Sequence, residues 1–482
     1  MKILVHISSQ KKIFLLNLIN KFLNRGDEVD LIVRDKFVLK NYKNNKINNK
    51  FVEQISLENL NIKKFNKKQI LKKALNFEKK YNQNLSFLLG KDRALGRGYL
   101  LNVDNYAEIE RANWSFYEKL NYFFYFFDNM EKIILTSKPK VIISIARNDY
   151  ISILANSKKI KYLTIAESRI GSRYIWSDND FNTSKIFISS LKKNLKSNSF
   201  KKFTKLKFEQ LIEAIRIQSA VKYNFVGTLK TMVSYFIREL RTIILRSKKK
   251  YSYKNFAWTK VIIMRFFAYK YVLNKSVKVE HLNQEKFIYV PLHLEPEIAL
   301  LGLSPEFSNS LEMITWLSKS VPSNFKIVVK EQPNAYGTRS IWFYKTLIQM
   351  PNVVLAYPTL HPWTWIKKSF CVATITGTSA IEAVCMKKPV LSYGKHQIVN
   401  YLPSVKYCNN FFSTKKNIDF LISKQSSKKI LEKSKSSLLK TIYEHSFNSK
   451  DYANDRFTYN VDRKEKNWEK LSLNFFWKTF KY

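Results

Sequence analysis

Apolar and polar positions alternate in two distinct periods along the chain. An apolar run at Lys2–Ile7 is followed by helical spacing over Lys12–Asn24, a turn at Arg25-Gly26-Asp27, and a second apolar run at Glu28–Val33. Strand, helix, glycine turn and strand at this spacing predict a parallel β-α-β unit. A second unit follows Pro139: strand Val141–Ala146, helix Asp149–Lys158 and strand Tyr162–Ala166. Between them, residues 34–85 are weakly patterned, and aromatics at helical spacing predict one long helix over Asn105–Ser137. Glycine and proline almost vanish over residues 182–285, where helical spacing dominates, as in Phe208–Ser219 and Gly227–Arg246. From Lys286 the two periods alternate regularly. Strands are expected at Phe287–Pro291, Lys326–Lys330, Val353–Ala356, Cys371–Ile375 and Pro389–Tyr393. The helices between them are Asn309–Lys319 (capped by Asn309 or Ser310), Ser340–Met350, Trp363–Lys368, and one from Ser379 to Met386. Residues 411–482 read as a helical, basic tail in which Trp468, Leu471, Phe475 and Phe476 share one apolar face. The pattern predicts an α/β protein of two domains, at 1–181 and 286–410, with a basic helical linker or insert at 182–285 and the tail at 411–482.

Length supports the division, since 482 residues exceed one ordinary core. Hydrophobic residues make up 45% of the chain, enough for packed cores and against wholesale disorder. Charge adds a question: 84 basic against 37 acidic residues leave +47. The lysines are spread in ones to threes over the whole chain, not gathered into a groove-sized stripe. That distribution argues against a dedicated nucleic-acid module and suits peripheral contact with an anionic inner-membrane leaflet. A general drift of the surface toward lysine gives the same composition. Val233–Leu245 has an apolar face beside Arg238, Arg241 and Arg246, which suits either a membrane surface or packing within the protein. Cys371, Cys385 and Cys408 form no CxxC and stand among apolar residues, as buried thiols in a reducing cytoplasm would. No secretory signal is seen, and no apolar run reaches the roughly 18 residues of a membrane span.

Candidate chemistry falls just past the ends of the expected strands, where open parallel sheets bind ligands. At Thr376-Gly377-Thr378-Ser379, hydroxyls and a glycine meet a helix start. The exposed amides and the positive end of the helix dipole there suit a phosphate. Glu382 is placed to accept from ribose hydroxyls. Ser379-Ala-Ile-Glu382 equally fits a capping box, a purely structural device. Lys330, Glu331 and Gln332 end a strand ahead of Pro333, and Arg339 follows Gly337 with a planar fork for a phosphate or carboxylate. His293, Glu295 and Glu297 follow the strand at Phe287–Pro291 and are candidates for proton transfer to and from an acceptor hydroxyl. Arg147, Asn148, Glu167 and Arg169 hold the matching rim of the first domain, Glu167 being the candidate acid–base group there. His361 opens a helix whose Trp363 and Trp365 read as packing residues.

Taken in order, these residues resemble a known family. Tyr289-Val-Pro-Leu-His-Leu-Glu-Pro-Glu297, Val329-Lys-Glu-Gln-Pro333, Gly337-Thr-Arg339 with Phe343-Tyr344, and Pro351-Asn-Val353 are followed by Thr374-Ile-Thr-Gly-Thr378, Glu382-Ala383, Lys388-Pro-Val390 and Gly394. The stretch resembles the C-terminal domain of capsule polysaccharide biosynthesis proteins, a bacterial GT-B-like group that includes Kdo transferases of capsule assembly. Asp92-Arg93 with Gly96-Arg-Gly98, and Ser168-Arg-Ile-Gly171 with Arg173, look similar too. The resemblance implies two Rossmann-like domains (GT-B-like) with a helical insert and tail. It implies a metal- and cofactor-independent glycosyltransferase using a nucleotide-sugar donor, CMP-activated, in the interdomain cleft. The acceptor is a glycan or glycolipid at the inner face of the plasma membrane. Lys330, Thr376, Gly377, Thr378 and Glu382 carry over as donor-site residues. One position departs: the family's strand ending reads Lys-Glu-His-Pro, and this chain has Gln332. A glutamine amide donates a hydrogen bond but carries no charge and relays no proton. Alternatives from the same residues are a catalytically impaired assembly protein and a nucleotide-sugar epimerase. A nucleic-acid-binding protein is the reading that the charge alone suggests.

Overall fold

The computed structural model describes residues 1–7, 12–33, 47–52, 65–92, 95, 111, 113–144, 148–170, 173–181, 183–197, 224–244, 255–282, 285–295, 298–307, 309–424, 427–448 and 468–481. The helical spacing at Phe208–Ser219, Arg147, the Gly96-Arg-Gly98 segment and Glu297 lie outside them.

The chain begins with β1 (Lys2–Ile7), α1 (Lys12–Asn24), β2 (Glu28–Val33) and β3 (Lys50–Val52), followed by α2 (Lys67–Tyr81), α3 (Leu85–Lys91) and α4 (Phe116–Ser137). Then come β4 (Val141–Ser144), α5 (Asp149–Ser157), β5 (Lys161–Glu167), β6 (Arg173–Ser177) and α6 (Lys185–Lys196). The hairpin α7 (Phe225–Ile244) and α8 (Ala257–Lys275) leads to β7 (Ser276–Val277), β8 (Lys286–Pro291), α9 (Ile298–Leu303), α10 (Leu311–Ser320), β9 (Phe325–Lys330), α11 (Ile341–Ile348) and β10 (Val353–Ala356). The remainder is α12 (Pro362–Lys368), β11 (Cys371–Thr374), α13 (Thr378–Cys385), β12 (Val390–Ser392), β13 (Val405–Tyr407), α14 (Phe411–Ser423), α15 (Lys428–His445), β14 (Ser446–Asn448) and α16 (Trp468–Lys481).

The chain divides into two compact units: residues 1–88, 114–215 and 439–482 in the first, 89–113 and 216–438 in the second. Each is built on one seven-stranded sheet among the described residues. In the first unit the order is β14-β6-β5-β4-β1-β2-β3. β3, β2, β1, β4 and β5 are parallel, and β6 and β14 add an antiparallel edge. The strand order reverses between β1 and β4, the doubly wound arrangement expected from the two β-α-β units. Of the helix expected over Asn105–Ser137, residues 105–110 and 112 lie outside the described residues, and residues 113–115 are not helical. Ser115 accepts from the amide of Glu118, and Glu118 bonds back to the Ser115 amide, so a capping box starts α4 at Phe116.

The tail carries a strand as well as helices. β14 pairs with β6, and Phe476 of α16 is buried edge-on against Phe22 and Trp176 in the core of the first sheet. Trp176 also donates from its ring nitrogen to the Ser472 carbonyl at 2.9 Å. Of the apolar face expected for this helix, Phe476 is therefore core and Phe475 packs partly against it.

In the second unit the order is β13-β12-β11-β8-β9-β10-β7, with every pair parallel. Buried on both faces, these strands have near-continuous apolar sequences, as at Phe287–Val290 and Ile327–Val329. From β8 the chain winds outward through β9 and β10, then returns to lay β11 on the other side of β8. The strand order reverses between β8 and β11, the place where open α/β sheets bind ligands, and His293 and Thr376 follow the carboxyl ends of these two strands.

Candidate functional site

Three loops meet at that reversal. β8 runs through Leu292 and His293 to Glu295, β9 ends at Lys330-Glu331, and β11 turns through Ile375, Thr376 and Gly377 into α13. The Leu292 amide donates to the Lys330 carbonyl, which joins the first two loops (2.9 Å).

A histidine joins the first loop to the third. The Thr376 amide donates to His293 Nε2 at 3.3 Å, and Thr374 Oγ1 lies 3.3 Å from the same nitrogen. The Gly377 amide donates to Thr374 Oγ1 at 3.1 Å. A backbone amide can only donate, so Nε2 is the acceptor and the ring proton sits on Nδ1. The threonine hydroxyl then accepts from Gly377 and passes its own proton toward His293. His293, expected as a proton-transfer group, is here the clasp that shapes the Thr376-Gly377 turn. Thr374 was inside the recognised motif, but its role was not legible there. It closes a strand and reads as a core position until its hydroxyl is placed.

The turn leads into α13 with Gly377 as its first flanking residue, extended at φ −70°, and no side chain caps the helix. Ser379 and Glu382 lie one and four residues inside the helix start at Thr378, so the capping box does not form. What remains is the other alternative, a helix start whose first amides have no preceding intrahelical acceptor. Thr376 beside it is 5% exposed, and its hydroxyl has no hydrogen-bond partner among the described residues. Thr378 is half-buried, Ser379 is buried, and Glu382 is wholly buried within α13.

Glu295, Glu331 and Arg339 form a second cluster. One guanidinium nitrogen of Arg339 reaches both Glu331 oxygens at 2.7 Å, the other lies 3.3 Å from Glu295, and Arg339 donates to the His293 carbonyl. Tyr344 donates to Glu331 (2.7 Å), as does the Gln332 amide (2.7 Å). Ser310 donates to Glu295 from its amide (2.9 Å) and its hydroxyl (2.6 Å). Burial works against the charge on Arg339, but Glu331 and Glu295 outweigh it and hold its pKa above the ordinary arginine value. Burial raises the Glu295 carboxyl, against the opposing pull of Arg339 and Ser310. Burial next to Glu331 likewise raises the Tyr344 phenol well above its usual value.

This geometry revises one expectation. The Arg339 fork, read as a phosphate or carboxylate grip, closes on the protein's own carboxylates. Of the two cap candidates, Ser310 holds the N-cap position but turns its hydroxyl to Glu295, and Asn309 Oδ1 accepts from the Leu311 amide at 2.8 Å. Ser310→Ala removes the hydroxyl donor to Glu295 and leaves the backbone amide; it is expected to cost about 1–3 kcal/mol of stability, measured by urea denaturation.

Lys330 sits beside this cluster but turns away. Its ammonium donates to the carbonyls of Pro358 (2.7 Å) and Tyr357 (3.2 Å), which ties the end of β9 to the loop after β10. Gln332 is half-buried. His361 caps α12 by accepting from the Trp363 amide (3.2 Å), and Trp363 and Trp365 are core residues, as expected. Glu167 ends β5 of the first unit, and nothing about its side chain is described. The structure therefore gathers His293, Thr376, Gly377, Thr378 and Ser379 at one turn. It gathers Glu295, Glu331 and Arg339 at a second, and the His293 carbonyl bonds the two groups.

Comparison with known proteins bears on this same stretch. Residues 206–398 match the family described as capsule polysaccharide biosynthesis protein. No curated protein matches the chain. Among solved structures, the chain is similar to a beta Kdo 2,7 transferase, KpsC of Thermosulfurimonas dismutans, with 14% identity over 67% of this chain and 87% of that one, TM-score 0.32. It is similar to MnaA of S. aureus, solved with UDP, with 13% identity over 94% and 93%, TM-score 0.26. It is also similar to UDP-GlcNAc 2-epimerase from Neisseria meningitidis, solved with UDP-GlcNAc, with 13% identity over 92% and 99%, TM-score 0.23.

Proposed function

We propose that this chain, which over residues 206–398 matches the capsule polysaccharide biosynthesis family, is a glycosyltransferase of surface-polysaccharide assembly that takes its sugar from a nucleotide-sugar donor, CMP-activated, and passes it to a glycan or glycolipid. The donor phosphate sits at the start of α13. The observation that carries this reading is the buried Thr376 hydroxyl without a partner, next to a helix start at the strand-order reversal. A buried hydroxyl left unbonded costs about 1–3 kcal/mol, and a phosphate oxygen accepting from it would recover that loss. The amides of Thr378 and Ser379 and the helix dipole add to the pull on an anion. Negative charge that develops on the leaving nucleotide would meet the same donors, already in place.

In this scheme the remaining residues act at one remove. His293 holds the turn, and Arg339 holds His293 through its carbonyl while Glu331 and Glu295 balance its charge. Lys330 contributes positive potential from behind the rim. Calorimetric titration with CMP-, UDP- and GDP-sugars tests the site, and no heat with any of them would sink it. Thr376→Val keeps the shape and removes the hydroxyl. It is expected to weaken donor binding about 10-fold, the worth of one hydrogen bond to a charged group.

Gln332 favours a second reading, a protein of the same fold that binds the donor but transfers poorly. Donor binding without product, together with product on Gln332→His, would support it. Robust transfer by the native chain would end it. Product analysis by mass separates transfer from epimerisation.

A further inference from the structure

The helix α7 presents an apolar stripe that is exposed among the described residues. Val226, Leu229, Val233, Ile237, Leu240 and Ile244 recur at intervals of three or four residues and so share one face over about 30 Å of helix. All six are exposed, from 38% at Leu240 to 69% at Ile244. The helix packs on α8 through a different flank. Tyr235 stacks on Trp258 at 6.0 Å, and Glu239 accepts from the amides of Trp258 (3.0 Å) and Thr259 (3.3 Å). A patch of this size and continuity marks an interaction surface.

Charge decides between occupants. Glu239 is the single acidic residue in α7, and its carboxylate is taken by α8; α8 itself contains no acid. Lys230, Arg238 and Arg241 are exposed on α7, Lys230 and Arg241 beside the stripe. An apolar stripe with cations along its open edge, in a chain of net charge +47, fits a surface that is oily and negative at once. No helix among the described residues is long and apolar enough to cross a membrane, so the fit is to a membrane face.

We infer that α7 docks this chain on an anionic lipid bilayer, its apolar stripe at the boundary of headgroups and acyl chains and its Lys and Arg side chains among the phosphates. The docking is independent of the donor site, because α7 contributes no residue to it.

Vesicle flotation of the full chain tests the inference. Phosphatidylcholine vesicles containing phosphatidylglycerol should carry the protein up the gradient, and phosphatidylcholine alone should carry much less. Val233→Glu with Ile237→Glu should reduce partition by on the order of 100-fold, since two apolar contacts are replaced by charges of the membrane's own sign. Lys230→Glu with Arg241→Glu should reduce it by about 10-fold or more and narrow the preference for anionic lipid. Phe412→Glu, an exposed apolar position on α14, should change nothing. Circular dichroism and nucleotide titration on each variant separate lost docking from lost folding or a lost donor site. Flotation unaffected by the α7 substitutions overturns the inference. So does concentration-dependent self-association that Val233→Glu with Ile237→Glu abolishes in a chain that does not float, which would make a second copy the occupant.

Discussion

Arg339→Met is expected to destabilise the protein by about 3–5 kcal/mol, read as a lower urea midpoint with an unchanged slope. The arginine is 7% exposed and neutralises two carboxylates, Glu331 and Glu295, that are buried with it. Removing one partner of such a cluster is far worse than removing the cluster, because the stranded charge keeps its desolvation cost. The pH dependence supplies a second check. Burial already raises the Glu295 carboxyl in the folded protein. An acid whose folded pKa is raised holds its proton longer when folded than when unfolded. Its contribution is complete below the unfolded value and is lost as the pH climbs through the folded one. Without Arg339 that rise is larger, so the penalty of the substitution should shrink as the pH falls toward about 4–5, the ordinary glutamate range. Arg339→Met combined with Glu331→Gln and Glu295→Gln should recover much of the loss. A pH-independent penalty, or no recovery in the triple variant, would show that charge is not what the site balances.

Gly377→Ala is expected to weaken donor binding by on the order of 100-fold while leaving most of the fold intact. The backbone at Gly377 is extended, φ −70° and ψ 147°, so glycine is not needed for its dihedral angles. It is needed for its missing Cβ. That atom would stand 2.7 Å from Thr374 Oγ1 and 3.3 Å from His293 Cε1. The Thr374 hydroxyl would have to leave, and its bonds to His293 and to the Gly377 amide would go with it. The turn would then re-aim the first amides of α13. Calorimetry with the nucleotide sugar that binds best to the native protein reads the effect, and circular dichroism confirms the fold. Unchanged affinity would mean that the phosphate is held elsewhere.

Much of the fold is legible along the chain because its signals are local. Apolar runs of strand length, helical spacing between them and turn residues at the junctions place β1, α1 and β2, and the β8-to-β12 repeat apart from α9, within a residue or two. The short strand β6 lacks such signals: it pairs antiparallel with β5 and with the edge strand β14, which lies some 270 residues away in the chain, within a segment whose pattern reads as helical. Capping residues, not periodicity, decide where α4 begins.

The site divides along the same line. Hydroxyls, a glycine and a helix start stand together at Thr376–Ser379 because they are neighbours in the chain, and the charged residues that end β9 and follow β8 are legible for the same reason. What each of them does is set by contacts made in the fold. Whether Ser379 caps the helix depends on where the backbone turns, and it turns two residues earlier, at Gly377. Whether Arg339 meets a ligand or a carboxylate depends on what burial brings within reach, and burial brings Glu331 and Glu295. Whether the apolar face of α7 is core or surface depends on which flank α8 occupies, and α8 takes the other one. Propensity and pattern act over a few residues, whereas pairing and exposure depend on contacts between distant ones.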